Sequence, residues 1–135
     1  MNRTPTPILL AVNGTLMRGF ELNSNLVEAG ARFVRQAKTA PWYRLWSIRD
    51  RHPGMVRATQ GGAAIELEIW AVPPEGLAAV LLREPPGLCI GKVELSDRSE
   101  VLGVLAEPWL CEGCTEITAH GGWRRYLGAQ PACPV

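Results

Sequence analysis

The chain has 135 residues, enough for one domain, since domains usually run about 100–200 residues. Its 47% apolar and 20% charged content exclude disorder as a description of the whole chain. Fourteen basic and thirteen acidic residues leave a net charge of +1, without the basic excess that a phosphate-backbone partner requires.

The elements follow in chain order. Ile8–Asn13 is a continuous apolar run stopped at Asn13-Gly14, which predicts a buried strand ended by a turn. Thr15 to Asn25 is polar and contains glycine, so it reads as a loop, with Ser24 placed to cap one helical turn. From Ala31 to Thr39, Phe33, Arg35 and Ala37 alternate with Val34, Gln36 and Lys38, the pattern of a half-exposed strand. Tyr43–Ile48 follows Pro41 and is rich in β-formers, so it reads as a further strand. Asp50 to Gly54 is a turn by composition, Met55–Thr59 a short strand, and Gly61-Gly62 a break.

Ala64–Val72 gives the clearest strand. Its alternation puts Ile65, Leu67 and Ile69 on one face and Glu66, Glu68 and Trp70 on the other. Pro73-Pro74 ends it and opens a helix over Glu75 to Arg83, with Leu77, Val80 and Leu81 at helical spacing. Pro85-Pro86-Gly87 stops that helix. Cys89–Leu95 and Glu100–Glu107 then flank Ser96–Ser99 as a β-hairpin, and a short helix is expected around Gly122–Leu127. The fold class is α+β: a small, mostly-β barrel or curved sheet of about six strands with one main helix.

No segment reaches the roughly 18–20 apolar residues that span a bilayer, and the run at Ile8–Val12 is too short for a secretory core. The expectation is a single cytoplasmic domain over residues 1–135, with its core at 7–127 and a flexible tail at 128–135. In that reducing setting Cys89, Cys111, Cys114 and Cys133 read as thiols. Cys111-Glu-Gly-Cys114 has the spacing of half a zinc site, but no second close pair follows; His120 is six residues on. No metal and no cofactor are expected.

Two segments carry a family resemblance. Glu66-Leu-Glu-Ile-Trp-Ala-Val-Pro-Pro-Glu75, followed by Gly91-Lys-Val-Glu-Leu95, is similar to the middle of allophanate hydrolase C-terminal domains. Gly121-Gly-Trp-Arg-Arg-Tyr-Leu127 resembles their closing segment, and Leu22-Asn23 and Thr39–Leu45 match in place and order. The resemblance is colinear from about Pro7 to Leu127 and lacks an amidase half. It implies the γ-glutamylcyclotransferase-like fold and a role in urea and nitrogen metabolism. In that pathway the C-terminal domain is thought to decarboxylate N-carboxycarbamate, after an amidase has released ammonia from allophanate.

The superfamily's hallmark, a glycine-containing loop after the first strand, is matched by Asn13, Gly14, Thr15, Leu16, Arg18 and Gly19. Such a loop can turn N–H groups toward a carboxylate, and Arg18 adds a cation for it; the same residues also read as a tight turn with a solvated arginine. Tyr43 is a candidate proton donor or a packed strand aromatic. Glu66 and Glu68, roughly 7 Å apart on one strand face, are an acid/base pair if that face lines a cavity. Otherwise they are solvated or paired, with Lys92 and Arg124 as candidate partners. Glu84 falls where the resemblance to cyclotransferases implies their proton-carrying glutamate, although Pro85-Pro86 follows it where that family commonly has glycine. His52 and His120 read as surface residues.

One departure separates the function classes. Relatives associated with decarboxylation carry histidine where this chain has Leu16, and leucine moves no proton; Gly14-Thr15-Leu16 instead matches the cyclotransferase form. Three readings remain: an enzyme that decarboxylates or otherwise processes a small carboxylated amide or carbamate, a γ-glutamylcyclotransferase-type enzyme, and a non-catalytic module that senses a metabolite or docks on an amidase. The expected partner is a small carboxylate-bearing molecule, with an amidase or a second copy of the chain as the protein partner.

Overall fold

Prolines and glycines cut the chain into short strands, and the computed structural model, which describes residues 5–129, shows how they assemble. The strands are β1 (Ile8–Val12), β2 (Arg32–Lys38), β3 (Tyr43–Ile48), β4 (His52–Arg57), β5 (Glu66–Val72), β6 (Leu88–Glu94), β7 (Glu100–Ala106) and β8 (Thr115–Glu116). The helices are α1 (Asn23–Glu28), α2 (Pro74–Arg83), α3 (Pro108–Cys111) and α4 (Trp123–Ala129), with a 3-10 turn at Thr118–His120. Five strands form one sheet in the order β2-β5-β1-β7-β6, and three form another in the order β4-β3-β8. The α+β class holds, as a curved sheet rather than a closed barrel.

The curvature is readable at the sheet's edges. β2 and β6 are its outer strands, yet Thr39 and Leu95, just past their ends, form an isolated bridge. The Ala40 N–H donates to the Glu94 carbonyl at 3.0 Å and the Ser96 N–H to the Lys38 carbonyl at 2.9 Å. The two edges therefore meet at one corner and part along the rest of their length. Edge groups left open elsewhere are satisfied here, which limits the hazard of a bare edge.

β1 is antiparallel to β5 and parallel to β7, so it lies at the middle of the sheet. Both faces of β5 are buried: Glu68 and Trp70 are 2% and 4% exposed, against 2% and 1% for Leu67 and Ile69 on the opposite face. Alternation along β5 thus separates two covered faces rather than core from water. β2 departs from its expected alternation through a bulge: Phe33 pairs with Trp70, Arg35 with Ile69, and Gln36 with Glu68. The extra residue at Val34 reverses the parity, so Phe33 joins Gln36 and Lys38 on the face of Glu66, Glu68 and Trp70.

Other boundaries shift for local reasons. Arg49 and Asp50 both have positive φ and are the central residues of a turn closed by the Arg51 N–H on the Ile48 carbonyl at 3.1 Å, within the three-residue link from β3 to β4. β4 therefore begins at His52 and includes Pro53, which an edge strand tolerates. α1 starts after Leu22 without a side-chain cap from Ser24; Asn23 instead donates from Nδ2 to the Leu16 carbonyl at 2.8 Å. α4 runs through Ala129, and the expected tail from 130 onward lies outside the described residues, as does Cys133.

The corner at Thr39 depends on one hydroxyl. Thr39 is fully buried; its Oγ1 accepts from the Ile65 N–H at 2.9 Å and donates to the Ala40 carbonyl at 2.8 Å. Replacing it with the near-isosteric valine leaves a buried N–H unpaired, which costs about 1–3 kcal/mol. Thr39→Val should lower the unfolding free energy by that amount, read as a lower urea midpoint with an unchanged m-value.

Candidate functional site

The loop after β1 is built inward. Residues 13–17 are buried, and Asn13 donates from Nδ2 to the Val104 carbonyl at 2.9 Å, tying the loop to β7. A Cβ on Gly14 would sit 2.4 Å from Pro53 Cδ, so only glycine lets the loop lie against β4. Gly19 has φ +85°, the left-handed turn that releases the chain toward α1. Leu16 and Met17 point into the core, both 4% exposed.

The loop does grip a carboxylate, and the carboxylate is the chain's own. Glu68 accepts the Arg18 backbone N–H at 3.0 Å and the Trp70 indole N–H at 3.1 Å on Oε1. Its Oε2 accepts Arg18 Nε at 3.2 Å and an Arg124 guanidinium nitrogen at 3.4 Å. Arg18 lies over the Phe33 ring at 3.6 Å and Arg124 over Phe20 at 4.8 Å, so each arginine is also held by an aromatic face. Arg124 further donates to the Arg18 carbonyl at 2.9 Å. Arg18, expected to reach for a ligand carboxylate, is thus engaged by Glu68, and Arg124 is the salt-bridge partner the sequence suggested. Lys92 makes no ion pair among the described residues.

Beside this clasp a cavity of about 310 Å³ opens between β2, β5 and α4. Glu66, Glu68, Lys38, Gln36, Arg124 and Trp123 are among its lining residues, together with Met17 and Ser96. Glu66 is paired outward with Arg125 at 2.7 Å. Glu66 and Glu68 therefore do line a cavity, and each is also paired to an arginine from α4.

The remaining predicted residues lie elsewhere. Tyr43 is fully buried, and its hydroxyl oxygen accepts the Glu94 N–H at 3.0 Å, which makes it a bracket between β3 and β6. Glu84, at the C-terminal end of α2, faces the loop's other side with Asn13, Gly14, Thr15, Leu16 and His52 around a void of about 20 Å³. That volume suits a single water. Burial pushes the Glu84 carboxyl above its ordinary range. Glu84 and the Glu66–Glu68 pair thus belong to separate cavities. Cys111 is buried and Cys114 partly so, and no group of three metal-binding side chains gathers among the described residues.

Sequence reasoning passed over Met17, Gln36, Lys38, Ser96 and Trp123. The Gly-Gly-Trp-Arg-Arg run was a signal for two cavity residues, because Trp123 and Arg124 both come from it. Lys38 and Gln36 face the cavity with Glu66 and Glu68 only because of the β2 bulge, which no residue pattern announces.

Comparison with known proteins fixes the lineage. The allophanate hydrolase C-terminal domain family matches residues 8–128. The chain belongs to that family. Urea amidolyase of Saccharomyces cerevisiae is 32% identical over 129 residues, spanning 90% of this chain and 7% of the yeast protein. The chain thus spans a small fraction of the length of the curated relatives it matches. A crystal structure of a uropathogenic E. coli-specific protein is 58% identical with a TM-score of 0.90, covering 94% of this chain and 100% of that one. An AIG2-like protein of Mus musculus, 17% identical with a TM-score of 0.59 over 76% of this chain and 78% of its own, shares the fold alone. The expected γ-glutamylcyclotransferase-like architecture is therefore the observed one.

The clasp at Glu68 can be weighed. Its arginines are 45% and 49% exposed, so losing the carboxylate strands no buried cation. What it does strand is the Arg18 amide and the Trp70 indole, and an unpaired buried donor costs about 1–3 kcal/mol. Glu68→Gln can keep its carbonyl oxygen for those two donors but then turns an NH2 toward the Arg18 and Arg124 guanidiniums, and should cost about 1–3 kcal/mol in urea denaturation. A glutamine variant as stable as the parent would show the clasp to be incidental.

Proposed function

We propose that this domain binds a small carboxylated amide or carbamate in the cavity between β2, β5 and α4. The observation that supports it most is the mixed polarity of the lining. Lys38 and Arg124 line the cavity with two carboxylates, Glu66 and Glu68, and Arg18 and Arg125, outside the lining, pair with those carboxylates, so the six groups together carry an excess of two positive charges. Such a site favours an anion. Carboxylates only accept hydrogen bonds, so Glu66 favours a ligand that also brings an N–H. A carboxylated amide or carbamate supplies both groups, and the volume of about 310 Å³ suits a small one. The family's link to allophanate hydrolase and urea amidolyase supports the same ligand class and a role in urea and nitrogen metabolism.

Binding without turnover is the reading we favour. Leu16 carries no proton and is core, and the oxygens of Glu68 are already occupied by four donors. Glu84, whose carboxyl burial pushes above its ordinary range, lines the separate void beside the loop and does not face this cavity.

Titration calorimetry tests the binding directly, using malonamate (one carboxylate, one amide) and malonate (two carboxylates, no N–H). Malonamate should bind more tightly than malonate. Lys38→Ala, at an exposed position, should weaken malonamate roughly 10-fold or more without changing stability, the scale of one lost charge-assisted hydrogen bond. Absence of binding by either compound, or equal binding by the variant, would overturn the proposal.

A further inference from the structure

The segment Cys111-Glu-Gly-Cys114 lies apart from the ligand cavity. It closes a turn at the end of α3, in which the Cys114 N–H donates to the Cys111 carbonyl at 3.0 Å. Glu112 has φ −61° and ψ 129°, and Gly113 has φ +74°. These are the angles of a type II β-turn, whose third residue needs the positive φ that glycine takes without strain. Such a turn holds its first and fourth Cα atoms within about 7 Å, and a disulfide spans Cα atoms about 4.4–6.8 Å apart. The backbone is thus already folded to the span that a Cys111–Cys114 bond requires.

The sulfurs are close as well. Cys111 packs in a small cluster with Ile48 and Ala106, its Sγ 3.3 Å from where a Cβ on Gly54 would stand. Cys114 packs against that same cluster, and its Sγ donates at 3.5 Å to the carbonyl of Leu110, the residue before Cys111. Burial, and then the neighbouring Cys114, push the Cys111 thiol up to about 11. No group of three metal-binding side chains forms among the described residues, so the pair is a dithiol rather than part of a metal site. The two thiols differ in access. Cys111 is 7% exposed, whereas Cys114 is partly exposed and lines a surface cavity of about 370 Å³ with Ser47, Arg49, Asp50 and Tyr126.

We propose that Cys111 and Cys114 form a redox site, a dithiol that a small-molecule disulfide of the glutathione class oxidises reversibly to an intramolecular bond. Cys114, the accessible thiol, attacks first as its thiolate. The S–S bond of the small disulfide breaks, one small thiolate leaves, and a mixed disulfide remains on Cys114. Cys111 then gives its proton to solvent and attacks the Cys114 sulfur, which forms the protein bond and frees the second small thiolate. Two protein thiols are oxidised and one disulfide is reduced to two thiols. Burial disfavours the Cys111 thiolate, so the reduced pair lacks the thiolate stabilisation that would hold it open. The site is independent of ligand binding between β2, β5 and α4, because the two cavities share no lining residue.

The tryptic peptide from Ser99 to Arg124 contains Cys111 and Cys114 and no other cysteine, so mass spectrometry reads the pair directly. The intact protein is equilibrated without oxygen in mixtures of oxidised and reduced glutathione, quenched in acid, alkylated and digested. The peptide should lose two hydrogens as oxidised glutathione rises and regain them in excess reduced glutathione. The equilibrium constant should be at least about 10-fold larger in the folded protein than in urea, because the native turn has already brought the thiols together. Cys111→Ser should leave glutathione attached to Cys114, an adduct that stays minor in the parent. Alkylation of both cysteines at every ratio, a lasting glutathione adduct in the parent, or equal constants in the folded and urea-unfolded protein would overturn the site. Should the serine variant not fold, the two constants of the parent decide alone.

Discussion

A carboxylate buried in the middle of a strand must be answered from several directions, and much of this domain is arranged to answer Glu68. The loop after β1 supplies a backbone N–H and a guanidinium through Arg18, α4 supplies Arg124, and β5 itself supplies the Trp70 indole. These elements are far apart in sequence and share no secondary-structure hydrogen bonds. The clasp therefore joins the first loop to the last helix across the central strand. Exposed arginine–carboxylate pairs are each worth at most about 1 kcal/mol. Its value lies instead in leaving no buried donor without an acceptor, and in fixing where the loop and α4 stand.

That placement defines the cavity. Met17 of the loop, the bulged β2 and α4 all line the space over Glu66 and Glu68, and the clasp ties the loop and α4 to β5 there. The glycine-rich loop, the family's hallmark, works here by turning inward: Gly14 admits Pro53, and the Arg18 amide takes an internal anion. Apart from Ser96, the polar residues that line the cavity come from β2, β5 and α4. The second void, beside Glu84, is a separate environment in which burial, rather than charge pairing, acts on the carboxyl.

The strands and helices were largely legible in the sequence because prolines, glycines and β-formers mark their ends. β5, α2 and the β6–β7 hairpin fall close to where composition puts them. Faces were harder to read. Strict alternation in Ala64–Val72 suggested one wet face, yet β5 is central and covered on both sides, and a paired glutamate satisfies alternation as well as a solvated one does. A bulge adds a residue without a compositional mark, so the inward turn of Phe33, Gln36 and Lys38 could not be foreseen. The family motifs found the right segments, since Arg124 and Trp123 both lie in the closing Gly-Gly-Trp-Arg-Arg run. They did not reveal that Arg18 would face an internal carboxylate.

The central claim, that the loop is locked onto Glu68 through its backbone, is tested most directly by hydrogen exchange at one amide. Arg18 is an exposed residue in a loop, and its side chain is 45% accessible. If its N–H is held by the buried carboxylate, it should exchange as slowly as the amides of β5 and open only with the fold as a whole. Exchange at the rate of an unprotected loop amide would contradict the account.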